Sequence, residues 1–282
     1  MRLISEIYNL IHKIAYESLV CLDSFVNARW YSKPYGIKPH ASKKEYLALA
    51  EIAKKNTSNK IFEYEKKYGY MINTIWLNNL ALHTQIVKKK STLSYVHGRI
   101  IYTTLMEYLR KNKTTRINII ETGSARGFSA LCMAKALEDS QREGLIITFD
   151  IIPHHKKMIW NCIGDHDGQK TRAQILSPWQ VLIDRYILFH QGYTRLELAK
   201  VQLDRVHFAF LDGAHGYEDV MFEFSKIRDK QHSGDVIVYD DYNKNQFPGL
   251  VKAVDEICSR NSYKRIDIND DSERAYVIAI KK

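Results

Sequence analysis

From Arg116 onward the chain repeats one pattern: a short apolar run, a turn, then a segment whose apolar positions recur at helical spacing. "INIIE" precedes "FSALCMAKALED", and "LIITFD" follows. After an irregular stretch come "YILFH" and "TRLELAKV", then "VHFAFLD" before "YEDVMFEFSKIRDK", and "DVIVYDD" before "GLVKAVDEICSR". Continuous apolar strands alternating with amphipathic helices predict an α/β fold with a mostly parallel sheet covered on both faces. The last two runs, "YKRIDI" and "AYVIAI", have only the polar turn "NDDSER" between them, which predicts a C-terminal antiparallel hairpin.

Residues 1–112 read differently, as helices broken at Pro34, Gly36 and Pro39. Leu3, Ile7, Leu10, Ile11 and Ile14 fall on one helical stripe among Glu6, His12, Lys13 and Glu17. Such a stripe fits an amphipathic helix better than a signal peptide. The last helix of this front is expected within "YVHGRIIYTTLMEYLRKN". The expected organisation is a helical extension or cap over 1–112 and a core domain over 113–282. Within that domain, 153–185 breaks the strand–helix rhythm and reads as a lid-like insertion.

Composition narrows the picture without redirecting it. At 45% hydrophobic residues the chain can bury a sizeable core. Cys21, Cys132, Cys162 and Cys258 are far apart and form no CxxC pair, which argues for a reducing compartment and against a zinc ribbon. No apolar stretch reaches membrane-spanning length, so a cytoplasmic location is expected. The net charge of +10 is uneven: residues 1–115 hold 19 Lys/Arg against 8 Asp/Glu, and the remainder is close to neutral. A lysine-rich solvated face accounts for this more simply than a polyanion-binding surface.

Candidate chemistry gathers where the strands end. Ligands of parallel sheets bind outside the carboxyl ends of the strands, and Glu121, Asp150, Asp212, Asp240 and Asp241 all occupy such ends. Gly123 and Gly127 bracket the turn after the first run, which lets a ligand approach the backbone. Ala125 stands where a dinucleotide fingerprint needs its second glycine, and no Gly-Lys-Ser/Thr follows to make a P-loop. Three clustered aspartates repel one another unless a positive charge joins them. Hard oxygen donors without cysteine suit Mg²⁺, with Mn²⁺ or Ca²⁺ as alternatives.

An acidic-x-Gly-x-x-x-Gly turn after the first strand, with an acid after the second, resembles the class I S-adenosylmethionine-dependent methyltransferases. The resemblance covers residues 116–282 and implies a Rossmann-like, doubly wound, seven-stranded sheet. It implies that Glu121, Gly123, Ser124, Gly127 and Ser129 line the methionine side of the donor, with Asp150 on its ribose. "LDGAH" and "VYDDY" further resemble the metal-dependent O-methyltransferases of the catechol type and, more closely, the macrocin-type sugar enzymes. That likeness implies Asp212, Asp240 and Asp241 as metal ligands, His215 as base, and a small-molecule hydroxyl acceptor such as a sugar. The helical front would cap the site or make a homo-oligomer contact.

Two other readings stand beside this one. A cephalosporin-hydroxylase-like enzyme would share the fold and the acids. A non-catalytic module binding nucleic acid or an anionic surface would use the basic front. Nucleic acid is disfavoured as a partner, because the Asp/Asn-Pro-Pro-aromatic tetrad of amino-methylating enzymes is absent where "LDGAH" stands. Trp160 and Trp179 read as packing residues before stacking platforms. His154, His155, Asp165, His166 and Asp167 read as solvent-facing polar side chains before a second metal site.

Overall fold

The computed structural model of the protein describes residues 33–56, 58–269 and 274–282. The stripe from Leu3 to Ile14 therefore lies outside the described residues, as do residues 270–273 of the polar turn. Four helices form the described front: α1 (Lys43–Lys55), α2 (Asn59–Tyr68), α3 (Thr74–Thr84) and α4 (His97–Lys111). Local chemistry sets their ends. The Ser42 hydroxyl accepts the Glu45 N–H while the Glu45 carboxylate accepts the Ser42 N–H, which caps α1 reciprocally. Gly69, at φ 77°, ends α2 in the left-handed region, and the Asn73 side chain caps α3.

α4 joins this front to the rest. Its Ile100, Ile101, Leu105 and Leu109 are buried, and it packs on α5 (Phe128–Asp139). Gly98 permits the contact, since a Cβ there would sit 2.7 Å from the Phe128 ring and 2.9 Å from the Cys132 sulfur. The front and one face of the sheet consequently share a single apolar core.

Seven strands build the sheet: β1 (Arg116–Thr122), β2 (Glu143–Asp150), β3 (Ile187–Gln191), β4 (Phe208–Leu211), β5 (Val236–Tyr239), β6 (Tyr263–Asn269) and β7 (Ala275–Lys281). They lie in the order β3-β2-β1-β4-β5-β7-β6. β1 to β5 are parallel, and β7 runs antiparallel to both β5 and β6. The expected α/β sheet and closing hairpin are both present, with β7 inserted between β5 and β6. Successive side chains point to opposite faces. Phe208, Phe210, Val236 and Val238 enter the core shared with the front. Ala209, Leu211, Ile237 and Tyr239 enter a second core under α9 (Tyr217–Arg228) and α10 (Pro248–Arg260). Burial on both sides explains why these strands read as unbroken apolar runs.

Two short helices, α6 (Arg172–Ile175) and α7 (Gln180–Tyr186), precede β3, and the segment "TRLELAKV" is less helical than its spacing predicts, forming only the short α8 (Thr194–Glu197) and one 3₁₀ turn. Among the described residues no helix is long and apolar enough to cross a membrane.

The sheet reverses its winding between β1 and β4, whose ends pair Thr122 with Leu211. The next residues, Gly123 and Asp212, are therefore neighbours. Gly123 sits at φ 90°, and a Cβ there would overlap the Asp212 carbonyl oxygen. Gly234, at φ 89°, has open space around its missing Cβ. Gly234→Ala should therefore lose about 1–2 kcal/mol, from backbone strain alone. Gly123→Ala should lose about 1–3 kcal/mol more, from forced overlap. Urea unfolding of both variants measures the difference, and equal losses would contradict the close approach.

Candidate active site

A cavity of about 600 Å³ opens at the carboxyl ends of β1, β2 and β4. Gly123, Ala125, Asp150, Ile152 and Asp212 are among its lining residues, and Tyr193, Arg195 and Glu223 close other sides. The loop after β1 carries three residues in the left-handed region, Gly123 at φ 90°, Ala125 at φ 42° and Gly127 at φ 87°. This conformation bends the chain away from the sheet before α5 begins. Gly127 also packs tightly, since a Cβ there would meet Leu176 at 2.7 Å.

Of the residues expected to hold the donor, Gly123 and Asp150 face the cavity, whereas Glu121, Ser124, Gly127 and Ser129 do not line it. The last four are a supporting layer. Glu121 is fully buried and accepts a short hydrogen bond from the Thr148 hydroxyl, while its Oε1 has no partner. Burial pushes its carboxyl up to about 7 against the hydroxyls of Ser129 and Thr148. The Ser124 hydroxyl lies 2.5 Å from that of Thr148 and so faces the sheet. The carboxylate oxygens of Asp150 accept the N–H groups of Ala125 and Ile152, at 2.6 and 2.8 Å.

The acidic residues after β4 and β5 converge, but not as the sequence suggests. Donor atoms of Asp212, His215 and Asp241 all lie within 4.8 Å of one another. Asp240 is not part of this cluster. It is buried, and one of its oxygens accepts the Asp241 N–H at 2.7 Å. Neighbouring residues of extended chain point in opposite directions, and Asp241 then turns left-handed at φ 52°. Of the pair "DD" the second carboxylate joins Asp212 and His215 at ligand spacing, while the first is buried beside them, and burial with the charges of Asp212 and Asp241 drives its carboxyl well up.

His215 Nε2 lies 3.4 Å from Asp241 Oδ2 and 3.8 Å from Asp212 Oδ1, and Phe247 stacks on the ring at 4.1 Å. These are charge contacts rather than directed hydrogen bonds, and Nε2 is buried without a hydrogen-bond partner. Burial presses the imidazole down, but the two carboxylates outweigh it and raise it to about 10. Burial also raises Asp212, with His215 opposing. Asp241 is held below the usual range despite its burial, by His215 and by Arg274, whose guanidinium lies 3.8 Å away.

Two residues near the cluster escape sequence reasoning. His97, at the start of α4, is buried with Nδ1 unpaired, stacked on Phe210 and edge-on to Phe128 at 4.8 Å. Burial depresses it to about 3, so it stays neutral. Arg274 belongs to a turn that reads only as polar. Phe247, by contrast, had a signal in its place before Pro248, between the acids and α10.

Trp160 and Trp179 are buried and do not line the cavity, as packing residues would be. Asp165 does not face solvent. Its two oxygens accept the Trp160 and Cys162 N–H groups, at 2.8 and 3.0 Å, and it is buried.

Residues 120–242 match a family described as a methyltransferase domain. The whole fold is similar to that of the O-methyltransferase NovP, at 16% identity and a TM-score of 0.53, with 86% of this chain and 100% of that one covered. It is also similar to cofactor-bound Rv0187 from MTB, at 13% identity and a TM-score of 0.50, with 72% and 85% covered. No curated protein matches the chain. Residues 120–242 thus match a methyltransferase-domain family, and the fold that carries them, with its glycine loop, switch-point cavity and acids beyond it, is similar to that of the O-methyltransferase NovP.

Proposed function

We infer that the protein transfers a methyl group from S-adenosylmethionine to a hydroxyl of a small molecule, a sugar or secondary metabolite. One observation carries this reading: Asp212 both lines the donor-sized cavity and belongs to the Asp212–His215–Asp241 cluster. A donor in the cavity and a hydroxyl at the cluster would then be adjacent. Holding two reactants in register can supply up to about 7–11 kcal/mol of the barrier.

The cavity's chemistry suits a cation. Asp150, Asp212 and Asp219 line it, the last paired with Arg195, beside Glu223, whose carboxyl burial raises to about 8. The donor supplies an electrophilic methyl on a sulfonium and carries an ammonium group, and these carboxylates favour both charges. The hydroxyl proton can pass to Nε2 of His215 in those molecules whose imidazole is neutral, and because the two carboxylates raise it to about 10, that fraction grows with pH.

The cluster also fits a divalent cation, because two carboxylates and an unpartnered buried imidazole nitrogen converge there. Asp212 and Asp241 would hold Mg²⁺ or Mn²⁺. When bound, the cation would acidify a nearby hydroxyl and reduce the negative charge that keeps His215 protonated. A second reading follows from the same closeness of Nε2 to the carboxylates: His215 is a third ligand and not the base.

Asp212→Asn and Asp241→Asn should each reduce turnover at least about 100-fold, while S-adenosylhomocysteine affinity stays within tenfold by calorimetry. Asp240→Asn should weaken Mn²⁺ binding less than Asp241→Asn does. An equal loss would restore Asp240 as a ligand. His215→Ala should lower the rate about 10²–10⁴-fold with Mn²⁺ affinity intact, whereas loss of that affinity selects the ligand reading. Because burial raises Glu121 to about 7, it is mostly protonated at pH 6 and mostly ionised at pH 8. Donor binding should therefore tighten about tenfold over that interval, and Glu121→Gln should flatten the change.

A further inference from the structure

We propose that Arg172, in the insertion between β2 and β3, is a positioning residue that fixes the cavity rim where Ala125, Asp150 and Ile152 meet. This rests on the reading of the cavity as the donor site. Arg172 is 1% exposed and does not itself line the cavity. Its Nε donates to the Ala125 carbonyl at 2.9 Å and its Nη2 to the Ile152 carbonyl at 3.2 Å. Nη2 also lies 3.9 Å from Asp150 Oδ2. The guanidinium sits near the Trp160 and Phe189 rings, 5.7 and 5.2 Å from their centroids.

These contacts close a ring. Asp150 accepts the Ala125 and Ile152 N–H groups, while Arg172 donates to the carbonyls of the same two residues. Ala125 is thereby held from both sides in a left-handed conformation that an alanine rarely adopts. A buried arginine is tolerated only when its charge and donors are met, and here every partner is a residue of the rim. The planar fork reaches two carbonyls at once, a geometry that a lysine ammonium cannot reproduce. The insertion then acts as a fastening for the donor loop.

Arg142 provides a matched comparison. It also donates to backbone carbonyls, those of Leu109, Asn112 and Thr114, but beside the amino end of β2, away from the cavity. Binding of S-adenosylhomocysteine to the full chain, measured by calorimetry, should weaken at least tenfold in Arg172→Lys and stay within twofold in Arg142→Lys. Both variants should lower the unfolding midpoint. Binding by Arg172→Lys within twofold of wild type, or an equal weakening in Arg142→Lys, overturns the proposal.

Should Arg172→Lys not fold, hydrogen exchange on the wild-type protein decides. S-adenosylhomocysteine should protect amides across residues 154–176 together with 123–127, and protection ending at Ile152 overturns the coupling. A wild-type chain that does not bind S-adenosylhomocysteine defeats the donor-site reading itself, and this inference with it.

Discussion

The site depends on one contact, the packing of the Gly123 backbone against the carbonyl of Asp212. It exists because β1 and β4 are neighbours where the sheet reverses its winding, and because residue 123 has no side chain. The loop that shapes the cavity and the loop that supplies the first acid are thus parts of one surface. Any substantial movement of one loop moves the other. A methyl donor and an acceptor that must meet within a few ångströms gain their alignment from this shared backbone, before any side chain contributes.

Charge is the second constraint. Asp212, Asp240 and Asp241 would repel one another at close quarters, and the bare sequence leaves an external cation as the simple remedy. The folded chain supplies positive groups of its own. Arg274 faces Asp241, and His215 lies between the two carboxylates that converge. A divalent ion would therefore enter a cluster already balanced by the protein and compete with its imidazole. Asp240 is less well compensated: burial and the charges of Asp212 and Asp241 drive its carboxyl well up, against Arg274 and the N–H of the residue after it.

Much of this architecture is legible in the sequence because burial on both faces of a parallel sheet leaves uninterrupted apolar runs. "INIIE", "VHFAFLD" and "DVIVYDD" each mark a strand and its functional end. The glycine loop is equally readable, since Gly123 and Gly127 occupy conformations that other residues avoid. Legibility fails where direction matters more than position. Nothing in "DD" says that the second carboxylate, and not the first, joins Asp212 and His215 at ligand spacing, because that depends on a left-handed Asp241. Glu121, Ser124 and Ser129 sit at the expected positions yet face the interior, since a position beside a turn does not determine which way a side chain points. His97 and Arg274 reach the site from elements distant in sequence, and only the packing of α4 and the return of β7 bring them there.

The placement of β7 between β5 and β6 has a consequence for how the molecule is made. β5 emerges during synthesis with one partner, β4, and its other edge stays unpaired while α10 and β6 are produced. Its Val236–Tyr239 backbone is meanwhile a short apolar template open to any extended chain. Only when β7 arrives is that edge closed, and the same event brings Arg274 to the acids. Sealing the sheet and balancing the charge of the cleft are thus a single late step in assembly.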